Sequence, residues 1–227
     1  MSAPEANLLD PHQGQPVRTG GTPLGHAQAA MVMIHGRGAR AEDILSLSDQ
    51  LALPGFAYLA PQAAGDTWYP RRFLEPLASN EPWLGSALGL IGRVLAQIAQ
   101  AGIPPERTGL LGFSQGACLT LEFVARHARR YAAVVGLSGA LIGPLDLPRS
   151  YAGSLAGTPV FLGCSDTDRH VPKESVLGTA EVLRSLGGEV SVRLYPQMDH
   201  TVNSDEIEAV RTLVQPLVAG GASAALA

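Results

Sequence analysis

The sequence predicts an α/β fold, a mostly parallel sheet with helices on both faces. Three observations lead there. Short apolar runs alternate along the chain with segments of helical period. The runs are apolar throughout, as strands buried on both faces must be. With 227 residues and 46% hydrophobic content, the chain is long enough for one domain with a sizeable core.

The elements follow in order. Residues 29–34 (Ala-Ala-Met-Val-Met-Ile) read as a buried strand, 41–51 as a helix and 56–60 as a second strand. A long irregular stretch, 61–82, comes next. Residues 86–101 place Leu88, Ile91, Leu95 and Ile98 at helical spacing, and Gly102, Pro104 and Pro105 end that helix. Residues 108–112 form a strand and 115–127 a helix. Further strands fall at 132–137, 159–163 and 190–195, and helices at 173–186, closed by Gly187, and 204–218. Residues 1–25, rich in Gly, Pro and polar groups, read as an extended lead-in with one short strand. Residues 26–219 form the single domain, and 220–227 a flexible tail.

Composition narrows the function. Only 16% of residues are charged and the formal net charge is -4, which argues against nucleic acid or an anionic membrane as partner. No apolar run approaches the ~20 residues of a transmembrane helix. Residues 1–11 carry Glu5 and Asp10 and no basic n-region, so no signal peptide is expected. Cys118 and Cys164 each lie in an apolar stretch and read as two reduced thiols of a cytoplasmic protein. No C-x-x-C or H-E-x-x-H spacing occurs, and neither metal nor cofactor is expected.

Functional residues of such a sheet sit at the carboxyl ends of its strands, and three strand ends carry chemistry. Gly112-Phe113-Ser114-Gln115-Gly116 joins a strand to a helix. The pattern is weak by itself in a chain with 26 glycines; it also describes an ordinary βα turn. Its setting gives it weight, because a strand–turn–helix corner exposes the serine hydroxyl and aims free helix N–H groups at it. The segment from Gly163 to Pro172 offers two carboxylates, Asp166 and Asp168, either of which can orient an imidazole or cap the following helix. Met198-Asp199-His200 follows the last strand and offers a general base, with His170 as its rival. The order Ser, acid, His is what lifts His200 above a lone histidine. His35-Gly36-Arg37-Gly38, after the first strong strand, offers a Gly-flanked N–H for an oxyanion.

With these residues in view, the chain resembles the phospholipase/carboxylesterase family of α/β-hydrolases, which includes the acyl-protein thioesterases. The matching stretches are His35-Gly36-Arg37-Gly38, Ala60-Pro61-Gln62, Leu111-Gly112-Phe113-Ser114-Gln115-Gly116-Ala117, Asp168-Arg169-His170-Val171-Pro172 and Tyr195-Pro196-Gln197-Met198-Asp199-His200. The resemblance implies the α/β-hydrolase fold. It implies Ser114 as nucleophile, His200 as base, Asp168 rather than Asp166 as the acid, and the backbone N–H groups of Arg37 and Gln115 as oxyanion donors. It implies a homodimer too, although the sequence shows no interface. Arg37 stands where the family often has an apolar residue, and its guanidinium at the mouth is expected to favour acidic or polar substrates.

The expected activity is hydrolysis of small or medium acyl esters. The alternatives are an acyl thioesterase or lysophospholipase, a lactone hydrolase of the dienelactone type, and a non-catalytic protein that keeps the fold. Trp68, Tyr69, Phe73 and Trp83 fall within or just after the irregular stretch. They are expected either to wall an acyl pocket or to pin the loop to the core. Activity is expected to fall in acid as His200 takes a proton.

Overall fold

A computed structural model describes residues 10–219; the expected tail at 220–227 lies outside them, as do residues 1–9. The strands are β1 (Val17–Gly21), β2 (Ala29–Ile34), β3 (Phe56–Pro61), β4 (Thr108–Phe113), β5 (Val134–Leu137), β6 (Pro159–Ser165) and β7 (Glu189–Tyr195). They form one seven-stranded sheet in the order β1-β3-β2-β4-β5-β6-β7. Every pairing is parallel except that of β1 with β3. The helices are α1 (Ala41–Leu45), α2 (Leu47–Leu51), α3 (Trp83–Gln100), α4 (Gln115–Arg126), α5 (Lys173–Ser185), α6 (Ser204–Val214) and α7 (Pro216–Ala219).

The period of two along a strand sorts its residues between the two faces. In β2, Ala30, Val32 and Ile34 join the core beneath α3, α4 and α5. Ala29, Met31 and Met33 join the core beneath α1, α2 and α6. All six are fully buried, which is why the run contains no polar residue. β7 departs from the expected all-apolar pattern. Among the described residues it is an edge strand paired only with β6, and Glu189, Ser191 and Arg193 face solvent between half-buried Val190, Val192 and Leu194.

The expected helix over 41–51 is two short helices that meet at Ser46, and the one over 204–218 divides at Gln215, ahead of Pro216. Proline has no N–H to continue the ladder, so the second break is chemically dictated. Among the described residues no helix is long and apolar enough to cross a membrane.

Candidate active site

β4 ends in the corner that carries Ser114. Its backbone stands at φ 55°, ψ -120°, a conformation unfavourable for a residue with a Cβ. The surrounding packing holds it there. Ser114 N–H donates to Leu137 O at 2.9 Å, and its carbonyl accepts from Cys118 N–H at 3.0 Å. A Cβ at Gly116 would collide with the carbonyls of Ile34 and His35, and one at Gly112 with the backbone of Gly116 and Ala117. The two glycines therefore let strand and helix approach at backbone distance.

β6 and β7 bring the other two groups. His200 Nε2 lies 2.8 Å from Ser114 Oγ, and His200 Nδ1 lies 2.7 Å from Asp168 Oδ2. The Asp168 side chain is fully buried. Burial pushes its titration up; the bonds from His200 and from the amides of His170 (2.7 Å) and Val171 (3.0 Å) outweigh that and leave it below its ordinary value. It is therefore an anion at neutral pH, facing the imidazole. Asp166 is placed differently: its Oδ1 accepts from Gln197 N–H at 2.8 Å and so ties down the loop that carries His200. Neither carboxylate caps α5, whose first turn follows Pro172 without a side-chain cap. His170 is exposed, its ring centroid 4.8 Å from that of His200.

The β2–α1 loop lies against the serine, a Cβ at Gly36 being placed 3.4 Å from that of Ser114. Among the described residues the amides of Arg37 and Gln115 donate to no protein acceptor. Two free N–H groups thus flank the hydroxyl, as an oxyanion requires. The Arg37 side chain does not behave as its sequence context suggests. Its guanidinium donates to the carbonyls of Tyr69 (2.9 Å), Pro70 (3.1 Å) and Arg71 (2.7 Å), so it braces the opposite loop.

A cleft of about 350 Å³ opens over Ser114. Tyr69 and Phe73 line it, together with Cys118, Val171, Pro70, Arg71 and Arg72. Trp68 and Trp83 do not, which corrects the expectation for both. Trp68 is fully buried, its indole N–H donating to His35 O at 2.8 Å, and Trp83 packs edge-on against His12. Their rings pin the loop. The Tyr69 hydroxyl and the Cys118 thiol are buried side by side, and burial pushes both titrations up, the thiol's to about 12. Cys118 is thus a neutral lining group and no rival nucleophile.

Three side chains act as supports that sequence reasoning does not assign, two of them inside the motifs named above. The Gln115 side chain accepts from Trp68 N–H (2.9 Å) and donates to Tyr69 O (2.8 Å). Buried His35 accepts from Ala63 N–H at Nε2 (3.1 Å), and buried His12 accepts from the next amide, Ala64 N–H, at Nδ1 (3.1 Å). Burial pushes both histidines below the ordinary imidazole value, so both stay neutral and able to accept. His12 sits far upstream, inside the expected lead-in, and its spacing to anything else carries no pattern.

A mostly parallel sheet with a serine corner at its centre, an acid after β6 and a histidine after β7 defines an α/β-hydrolase. Residues 22–217 match the model of the phospholipase/carboxylesterase family, and the chain belongs to that family of serine ester hydrolases. It is similar to a phospholipase/carboxylesterase of Dyadobacter fermentans, with 41% identity and a TM-score of 0.85 over 88% of this chain and 96% of that one. It is 27% identical to acyl-protein thioesterase 1 of Gibberella zeae over 179 residues, 75% of this chain and 71% of that protein. The match to acyl-protein thioesterase 1 of Saccharomyces cerevisiae, 28% identical, spans 57% of this chain and 58% of that protein. A Bacillus cereus carboxylesterase at 15% identity, with a TM-score of 0.71 over 90% of this chain and 95% of that one, shares the fold.

Proposed function

We propose that this protein is a carboxylesterase that hydrolyses small or medium acyl esters through Ser114, His200 and Asp168. The observation that carries the reading is the unbroken line of two short hydrogen bonds, Ser114 Oγ to His200 Nε2 and His200 Nδ1 to Asp168 Oδ2. In the first half-reaction His200 takes the Ser114 proton as Oγ bonds to the acyl carbon. The tetrahedral oxyanion accepts from the amides of Arg37 and Gln115. Asp168 stabilises the imidazolium, which protonates the departing alkoxide as the C–O bond breaks. In the second, His200 deprotonates a water that attacks the acyl-enzyme, and the acid leaves as Ser114 regains its proton. A cleft of about 350 Å³ is at the small end for ligand sites and supports short acyl groups over long ones.

A second reading, acyl thioesterase, rests on the named activity of the Gibberella and Saccharomyces relatives. The cytoplasmic location belongs to the proposal as well, supported by two buried free thiols, Cys118 and Cys164. The homodimer rests on the family alone, and a solution mass by light scattering tests it. For the chemistry, a fluorophosphonate probe is expected to label the wild type and not Ser114→Ala. Labelling of Ser114→Ala, or none of the wild type, overturns the reading. A chain-length series of 4-nitrophenyl esters with a matched thioester then separates the two activities: a maximum at short oxygen esters is expected, and a thioester preference selects the second reading.

A further inference from the structure

The chain is acidic overall, with a formal net charge of -4, yet its cleft is not. Arg37, Arg71 and Arg72 line it and, among the described residues, no carboxylate does; the Asp168 side chain is fully buried behind His200. The three arginines differ in what they are free to do. Arg37 is committed to three loop carbonyls. Arg71 and Arg72 are exposed, and among the described residues neither guanidinium has a hydrogen-bond or ion-pair partner.

The backbone beneath them is fixed. Arg71 N–H donates to Oδ1 of fully buried Asn80 (2.8 Å), and Asn80 Nδ2 donates back to Arg72 O (3.3 Å). Arg71 O accepts from Arg37, and Phe73 O accepts from Gly143 N–H at 2.6 Å. Two unpaired cations therefore project from a rigid rim at a catalytic cleft. A solvated guanidinium pair needs no such platform. A pair that receives a ligand gains from one, because less entropy is lost when the ligand docks.

On the esterase reading above, we propose that Arg71 and Arg72 select esters that carry a carboxylate beside the scissile bond. A guanidinium fork matches a carboxylate in charge and geometry, and the partly closed cleft weakens the screening that makes exposed pairs worth little. The carboxylate belongs to the acyl chain or to the leaving alcohol, and the test has an arm for each.

In the first arm, mono-4-nitrophenyl glutarate is compared with 4-nitrophenyl pentanoate. In the second, 4-acetoxybenzoate is compared with 4-methylphenyl acetate. The quantity read is the ratio of kcat/KM, anionic over neutral, for the wild type divided by that for Arg71→Gln/Arg72→Gln. Intrinsic differences in ester reactivity cancel in that quotient. It is expected to reach about tenfold in at least one arm, equivalent to about 1.4 kcal/mol, and to shrink as salt is raised. Arg71→Lys/Arg72→Lys is expected to retain part of it, which a merely structural role for the side chains would not predict. If the wild type is labelled by the fluorophosphonate and hydrolyses the neutral esters, but the quotient stays near one in both arms, the anion preference is overturned and the esterase reading stands. If there is neither labelling nor hydrolysis, the esterase reading fails and takes this inference with it.

Discussion

At the β4–α4 corner the backbone is held by contact with other backbone, whereas residues 67–73 across the cleft are held mainly by side chains from elsewhere in the chain. At the corner, Gly112 and Gly116 leave no room for a Cβ, and Ser114 is bonded to Leu137 and Cys118 through its own peptide groups. Across the cleft, the loop belongs to no strand. Backbone bonds serve Thr67 N–H, Arg72 O and Phe73 O, but most of its other bonded carbonyls and amides are satisfied by the side chains of Arg37, Gln115, His12 and Asn80. A buried peptide group needs a partner in either case. The corner finds its partners within the fold's regular frame; the wall borrows them, one side chain at a time. The corner should therefore fail all at once, and the wall by degrees.

Four substitutions probe that difference. Gly116→Ala places a methyl against two carbonyl oxygens that cannot rotate away. It is expected to cost more than about 3 kcal/mol by urea denaturation and to abolish activity; a stable, active variant would break the comparison at its stronger side. Glu206→Gln tests a place where the two modes meet. Gly163 makes room for the buried Glu206 carboxylate, which closes a capping box on Asn203 and, among the described residues, leaves Oε1 without a hydrogen-bond partner. Burial pushes its titration from 4.5 up to about 7. A carboxyl raised in the folded state contributes stability below its unfolded value, and that contribution is lost as pH rises through the folded value. The stability of Glu206→Gln relative to wild type should thus improve between pH 5 and pH 8, by up to about 3 kcal/mol. Parallel thermal melts across that range would sink the idea.

The wall gives the smaller effects. Gln115→Ala keeps the amide proposed for the oxyanion but strands the buried Trp68 N–H. It is expected to lower kcat/KM by about tenfold with a modest loss of stability. Full activity would show that the wall does not depend on its borrowed partners. Arg37→Lys replaces a fork serving three carbonyls with a single point donor. A few-fold rise in KM is expected, with kcat little changed; a fall in kcat alone would place the Arg37 side chain in the chemistry instead.

The same difference explains what was legible in the sequence. Ser114 and His200 could be proposed because each follows a strand and sits in a motif, Asp168 is preferred over Asp166 only through the family resemblance, and glycine spacing marks a corner that has no space for side chains. The strand and helix order could be read from periodicity alone. The aromatic stretch misled for Trp68 and Trp83, since a tryptophan that walls a pocket and one that pins a loop look identical until the fold shows which way the ring faces. Arg37 misled similarly: an unusual charge at the mouth suggested substrate, and its three acceptors are backbone oxygens, which leave no trace in residue identity. Asp166 stayed unresolved because its partner, Gln197 N–H, is a peptide group thirty-one positions away.

His12 changes where this enzyme begins. The family match starts at residue 22, and every group proposed for the chemistry lies beyond it. Yet His12 stands between Trp68 and Trp83, donates to Trp68 O and accepts from Ala64 N–H. A chain cut at Thr22 would keep every residue proposed for catalysis and lose both the edge strand β1 and the peg on which the far side of the cleft hangs. Drawn by homology, the unit is one size; drawn by what keeps the site in shape, it is larger by at least ten residues.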